Sequence, residues 1–314
     1  MMDSSYYRQL SLAPLPASEF SKFTRKGDRA FYRDDNLDYS PTLFCFRAPD
    51  AKYYLGVQAS LPKLIYGHNV KMLDESALSD ALKILQEFAT TRFGIFFDVY
   101  KANIGRIEYC YNFPVGEDLI YSYLSAASEA EPPRMKRRLI GKIETVEFAN
   151  DSWKIYCYDK GLEAKHLFKN EKISAEAVEA ARGVLRLEVR FNSTEAVKRL
   201  SGRLKLPDIQ AQTLLNFDVA KSVLTSAVKA LGLHEPVIPF DKRLFKLKKE
   251  YGYGSRFHRL AGFLHLCDTF GFDKLVEIGV MKRSAYYKQR KEVANADALI
   301  FSNHHTTLPA LHVR

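Results

Sequence analysis

Three segments in the first two-thirds of the chain carry polar side chains at every second position, and residues two apart on a strand point to the same side of a sheet. In GRIEYCYNF, Arg106, Glu108, Cys110 and Asn112 share one side, opposite Ile107, Tyr109, Tyr111 and Phe113. In VLRLEVRF, Arg186, Glu188 and Arg190 oppose Leu185, Leu187, Val189 and Phe191. In SWKIYCYDK, Lys154, Tyr156, Tyr158 and Lys160 oppose Trp153, Ile155 and Cys157. If the three polar sides form one sheet surface, two carboxylates, a tyrosine pair and a lysine converge. Carboxylates can hold Mg²⁺ or Mn²⁺, which polarises a phosphodiester. A tyrosine hydroxyl can then attack the phosphorus and form a covalent phosphotyrosine, while a nearby Lys or Arg stabilises the developing charge. Arg-Glu-Arg alternation equally describes a solvent-facing strand with cross-strand ion pairs, and spacing alone does not choose between the two.

The elements that must position these residues read as an α+β arrangement. Residues 1 to about 40 are polar and turn-rich, and strand alternation begins with TLFCFRA and YYLGVQAS, a hairpin around Pro49 and Asp50. Behind Asp74 as N-cap, Leu78, Ala81, Leu82, Leu85 and Phe88 recur at helical spacing, predicting a helix to about Thr90. The strand NIGRIEYCYNF follows, then a short helix near 116–127, a basic linker RMKRRLIGK, and the strands KIETVEFA and SWKIYCYDK joined at Asn150 and Asp151. Ser174 caps a helix that Gly183 ends, and VLRLEVRF is a further strand. After Phe191 the pattern is helical only. The expected architecture is an antiparallel-dominated sheet with helices on one face, followed by a helical C-terminal domain, with a boundary near residue 205 separating a catalytic part (1–205) from a basic helical part (206–314).

Composition narrows the partner. The 314 residues include 47 Lys and Arg against 37 Asp and Glu, a formal net charge of +10, which favours a polyanion such as nucleic acid. There is no apolar run of 18 residues and no basic segment followed by an apolar stretch at the start, so neither membrane insertion nor secretion is expected, and the cytoplasm is the expected compartment. Cys45, Cys110, Cys157 and Cys267 show no metal-ligand spacing and read as small buried apolar residues. In DKRLFKLKKEYGYGSRFHRL, Lys242, Arg243, Lys246, Lys248, Lys249, Arg256 and Arg259 interleave with Tyr251, Tyr253 and Phe257. That mixture suits phosphate contact plus base stacking, and it also suits a solvated basic helix face.

The ordered set VQASLPKLIYGHNV, a helix, GRIEYCYNF, KIYCYDKGLE and VLRLEVRF resembles the filamentous-phage gene II/X replication proteins and their plasmid relatives. The resemblance covers roughly residues 50 to 192, with a weaker likeness from SRFHRLAGF to KRSAYYK. It implies a rolling-circle initiator that nicks a plus-strand origin of circular double-stranded DNA, retains the 5′ end on a tyrosine, and leaves the 3′ end and single plus strand to host helicase and polymerase. By motif the nucleophile falls on Tyr158 with Lys160 beside it. The acidic elements fall on Arg106–Ile107–Glu108 and Arg186–Leu187–Glu188. Metal ligands expected are Glu108, Glu188 and, in the GHN turn, His68; DNA contacts expected are Arg106, Arg186, Arg190, Lys246, Lys248, Lys249 and Arg256. The family more often has Asp where this chain has Glu108, and Tyr156 has no secure counterpart, being either a second nucleophile or a packing or stacking aromatic. No His-x-His pair is present, so acidic ligands would do that work. The alternatives are a plasmid mobilisation relaxase and a non-enzymatic basic DNA-binding regulator.

Overall fold

A computed structural model describes residues 2–11, 23–26, 29–47, 53–94, 96–141, 143–236, 240–270, 272–296, 298 and 309–313. Its strands are β1 (Met2–Ser11), β2 (Thr24–Lys26), β3 (Arg29–Tyr32), β4 (Thr42–Arg47), β5 (Tyr53–Ser60), β6 (Asn103–Pro114), β7 (Lys136–Ile140), β8 (Thr145–Ala149), β9 (Trp153–Asp159) and β10 (Val184–Phe191). The helices are α1 (Leu61–Tyr66), α2 (Glu75–Phe93), α3 (Glu117–Ser128), α4 (Lys160–Lys169), α5 (Ala175–Ala180), α6 (Thr194–Leu204), α7 (Ala211–Leu214), α8 (Phe217–Ala230), α9 (Phe240–Tyr251), α10 (Ser255–Phe270), α11 (Phe272–Glu277) and α12 (Arg283–Asn295). The fold is the expected mixture of sheet and helix, ending in helices.

All ten strands join one sheet in the order β2-β3-β4-β5-β1-β6-β10-β9-β8-β7, and the described pairings are antiparallel. Alternation places Ile107, Tyr109, Leu185, Leu187, Val189, Ile155 and Cys157 in one continuous apolar core with residues of α2, α3, α6 and α8. Helix α2 starts where the Asp74 side chain accepts from Ala77 N–H at 2.8 Å, as expected. It runs a turn beyond Thr90 because Phe93 is fully buried and Gly94, at φ 68, supplies the left-handed cap.

Two segments differ from the sequence reading. Part of the polar N-terminal stretch is β1, a central strand paired with both β5 and β6. MDSSYYRQLS has no apolar alternation to announce it, so its place is set by two neighbouring backbones rather than by its own pattern. The basic segment RMKRRLIGK is no linker: Lys136–Ile140 forms the edge strand β7 on β8, and its Lys and Arg residues suit an edge that must not recruit another strand. The expected hairpin of β4 and β5 is present, but its turn at Pro49 and Asp50 lies outside the described residues.

The sequence reading puts a boundary near residue 205. The core containing the sheet includes residues of α6 to α8 and runs on to Leu233, while Leu247, Leu260, Phe263, Leu275, Tyr286 and Val293 form a second core among α9 to α12. Buried Arg243 ties the two together through Glu129 at 3.2 Å. The chain then returns: Leu311 and Val313 join the first core, Leu311 N–H donates to Leu233 O at 2.8 Å, and Tyr123 Oη donates to Pro309 O at 2.8 Å. No helix among the described residues is long and apolar enough to cross a membrane.

Candidate active site

Strand register assembles the polar face. Along β10, Arg190 lies opposite Glu108, Glu188 opposite Cys110, and Arg186 opposite Asn112 of β6. On its other side Arg186 lies opposite Tyr158, Glu188 opposite Tyr156, and Arg190 opposite Lys154 of β9. Glu147 of β8 continues the row opposite Tyr156. Glu108, Glu188, Tyr156 and Tyr158 therefore share one sheet surface, as the alternation predicts.

The face is not a solvated strand. Arg186 is 0% exposed, Glu188 1%, Glu108 3% and Tyr158 9%. Burying charge costs several kcal/mol per ion unless partners compensate it, so the contacts here must be extensive. Glu188 Oε1 accepts from Tyr158 Oη at 2.6 Å and from Arg186 Nε at 2.9 Å, while its Oε2 accepts from Arg190 Nη2 at 2.7 Å. Burial works to raise the Glu188 carboxyl, and the two arginines outweigh it, holding it down to about 2. Tyr158 goes the other way: burial and the adjacent Glu188 push its phenol well above its ordinary value despite Arg186. In the free protein the site is thus a phenol that keeps its proton, donated to a carboxylate that stays ionised.

Lys160 is placed differently from the expectation. The strand stops at Asp159, whose side chain accepts from Leu162 N–H at 3.1 Å and caps α4, so Lys160 is the first residue of a helix rather than the next strand position. Its ammonium is buried, 5.9 Å from the Tyr158 ring centroid, pairs with Glu163, and donates to Asn69 Oδ1 at 3.1 Å. Burial, reinforced by Arg186, lowers its proton affinity.

Asn69 is a functional candidate that the sequence reading missed, although it sits in the GHN turn already singled out. Its carbonyl accepts from Arg186 Nη1 at 2.6 Å while its side chain holds Lys160. Asn112 extends the clasp by donating Nδ2 to Val70 O at 2.7 Å. The turn thus lies over the buried end of the charge network. His68 braces the turn itself, since its Nδ1 accepts from Val70 N–H at 3.2 Å. Burial, with nearby Lys160 and Lys71, lowers its proton affinity.

The expected metal ligands do not form a cation site as placed. Arg190 stands between the two glutamates, with Nε 2.7 Å from Glu108 Oε2 and Nη2 2.7 Å from Glu188 Oε2. The Nε contact is close without the alignment of a hydrogen bond. Among the described residues no three His, Cys, Asp or Glu side chains converge as a metal-holding group. Mg²⁺ and Mn²⁺ need open hard-oxygen donors, and here both carboxylates are already bound to guanidinium.

Tyr156 is half-buried in the same row. The Arg190 guanidinium lies 4.5 Å from its ring centroid, and Lys154, held above its ordinary value by hydrogen bonds to Glu147 and Tyr156, lies 5.8 Å away. Tyr156, Tyr158, Glu188 and Arg190 line an open cavity of about 380 Å³ with His166 and Glu163. This is where a chain of phosphates could meet the network.

The remaining expected DNA contacts are scattered. Arg106 lies beside this row on β6, and its Nε is buried with no hydrogen-bond partner among the described residues. Lys246, Lys248, Lys249 and Arg256 lie on α9 and α10, whose inner faces contribute to the second core. Lys248 and Lys249 are exposed, and Lys248 stacks on Tyr253 at 4.5 Å. Arg256 stacks on Tyr251 at 4.2 Å and pairs with Glu292 at 2.9 Å, as Arg259 does at 2.7 Å. Arg243, counted with this cluster by sequence, is 1% exposed and structural.

Fold and site together define a mixed α/β protein with a tyrosine–glutamate–arginine centre on one face of an antiparallel sheet. A family model for the N-terminal part of the phage gene II replication-associated protein matches residues 42–215, a span that contains every residue of that centre. The chain belongs to this family, the phage replication initiators of the gene II type. No curated protein and no solved structure matches it.

Proposed function

We propose that the protein starts rolling-circle replication by cutting one strand of its origin with Tyr158 and rejoining it later by the reverse reaction. The observation that carries this reading is the 2.6 Å hydrogen bond from Tyr158 Oη to Glu188 at the wall of an open cavity that Arg190 also lines. A phosphodiester entering the cavity would compete with Glu188 for Arg190, the most exposed member of the network. Withdrawing that cation makes the carboxylate more basic. Glu188 can then accept the phenol proton as the Tyr158 Oη–phosphorus bond forms and the bond from phosphorus to the 3′-oxygen breaks, the departing oxygen taking a proton from water in the cavity. Arg190, which lines the cavity, stabilises the charge on the transferring phosphoryl group, and buried Arg186 and Lys160 add positive charge behind the network. The 5′ phosphate stays on the tyrosine and the free 3′-hydroxyl is left for host polymerase and helicase.

The two glutamates as arranged, each held by the Arg190 guanidinium, do not fit a metal ion. A second reading makes Tyr156 the nucleophile: it lies directly opposite Glu188, is more exposed than Tyr158, and its ring meets Arg190. Incubation of the full chain with supercoiled circles carrying candidate origins, followed by denaturing electrophoresis for protein-linked DNA, tests both. Tyr158→Phe is expected to abolish the adduct and Tyr156→Phe to leave it. The reverse result transfers the role to Tyr156, and an adduct from both variants, or nicking without one, refutes the mechanism. A mobilisation relaxase would give the same adduct but would act on a transfer origin. A regulator without enzymatic activity would bind origin DNA and never nick it.

A further inference from the structure

Residues 272–295 lie beyond the part of the chain that the family model covers. We infer that they form a helix-turn-helix, with α12 reading the major groove of double-stranded DNA at a site separate from the tyrosine centre. Two short helices joined by a tight turn that contains glycine, the second carrying an exposed recognition face, is the architecture this mode of binding requires. Helix α11 ends at Glu277, and Gly279 takes a left-handed φ of 75°, which a side chain rarely adopts. Gly279 N–H donates to Val276 O at 3.2 Å and Met281 N–H to Leu275 O at 3.1 Å, closing the turn before α12 starts at Arg283.

The inner face of the unit is buried and its outer face is exposed. Leu275 is 1% exposed, Val293 0% and Tyr286 3%, with the Tyr286 ring 5.5 Å from Phe263 of the supporting helix α10. On α12 the positions 284, 287, 288, 291 and 295 follow helical spacing along one side, and Ser284, Tyr287, Lys288, Lys291 and Asn295 are all exposed there. This stripe carries cations plus side chains able to hydrogen-bond base edges. The helix has one acid, Glu292, and it pairs with Arg256 and Arg259 of α10 rather than standing on this stripe. Lys282 and Arg283 stand at its N-terminus with no acidic residue in the first turn, an order the helix dipole disfavours but a phosphate backbone rewards. Thirteen residues span about 20 Å, enough to cross a major groove about 12 Å wide. The occupant is duplex DNA rather than single strand, because a convex helix edge fits a groove and offers no channel for unstacked bases.

This inference does not need the tyrosine chemistry to be right, and its test keeps the two apart. The full chain would be used to select binders from random-core duplex oligonucleotides, and the enriched and a scrambled duplex would then be titrated by fluorescence anisotropy. Tyr287→Ala and Ser284→Ala are expected to reduce preference for the enriched duplex, on the order of tenfold each if they contact base edges. Lys288→Ala and Lys291→Ala are expected to weaken both duplexes and to lower the slope of log K against log salt by about 0.9 each. All four side chains are on the surface, so melting temperatures should stay near the parent's. Adduct formation on a single-stranded oligonucleotide carrying the nick site should be unchanged in these variants. If no duplex sequence is enriched, or if the four variants discriminate the two duplexes as the parent does with unchanged salt slopes, α12 is not the reading helix.

Discussion

Tyr158 is not the strand partner of Glu188. Register sets Tyr156 opposite Glu188 and Tyr158 opposite Arg186, and the Tyr158 hydroxyl reaches the carboxylate diagonally at 2.6 Å. A diagonal contact of this kind lies within reach of a long aromatic side chain. It leaves the glutamate shared among a phenol and two arginines, and the stability of the site follows from that sharing.

Removing the charge of Glu188 should cost more than removing the hydroxyl of Tyr158. Glu188→Gln leaves Arg186, 0% exposed, without its anion, a loss on the order of 3–5 kcal/mol, whereas Tyr158→Phe deletes one hydrogen bond worth about 1–3 kcal/mol. Urea unfolding followed by circular dichroism would rank the variants. The same pair reports on pH: burial would raise the Glu188 carboxyl but Arg186 and Arg190 hold it near 2, below its ordinary 4.5. Its contribution is therefore complete above about 4.5 and drains away as pH falls toward 2. The stability gap between parent and Glu188→Gln should shrink over that window, and a gap constant with pH would mean the carboxylate is not held by the arginines.

The carboxylates should not take up a divalent ion in the free protein. With Arg190 2.7 Å from an oxygen of each glutamate, millimolar Mn²⁺ should leave the melting temperature unchanged, since only a ligand that binds the folded state stabilises it. Arg190→Ala should uncover the pair and make the melting temperature respond to Mn²⁺. A clear upward shift in the parent would show that the glutamates exchange guanidinium for metal without DNA.

Neutralising Lys246, Lys248 and Lys249 together should flatten the salt dependence of DNA binding, by about 0.9 in slope for each phosphate no longer neutralised. Lys248 and Lys249 are exposed, and Lys248 is ordered over Tyr253. An unchanged slope, measured by filter binding across salt concentrations, would assign the phosphate path elsewhere, with the Lys- and Arg-rich edge strand β7 as the alternative.

The returning C-terminal segment should be part of the folded core. Leu311 is 6% exposed and packs in the core that holds the sheet, so Leu311→Ala should destabilise by about 2–5 kcal/mol. Thermal melting would read this as a lowered midpoint, and a midpoint equal to the parent's would show that the tail contributes nothing.

The amino-acid sequence by itself determined the faces of the strands. Alternation along β6, β9 and β10 is a property of backbone geometry, so it put Glu108, Glu188, Arg190, Tyr156 and Tyr158 on one side before any contact was known. The start of α2 at Asp74 was equally legible, because capping is a local bond between neighbours in the chain. What that face does with its charges was decided by tertiary structure. Whether Arg-Glu-Arg meets water or a covering turn depends on Asn69, well over a hundred residues from Arg186 in the chain, and on Asp159 ending β9 so that Lys160 turns into a helix. The central place of β1 was decided there too, since a strand without apolar alternation is specified by the backbones on either side of it. Local spacing shows which side chains share a surface, but the protonation of Tyr158 and the engagement of both glutamates by Arg190 depend on burial and on partners that only the folded chain brings within a few ångströms.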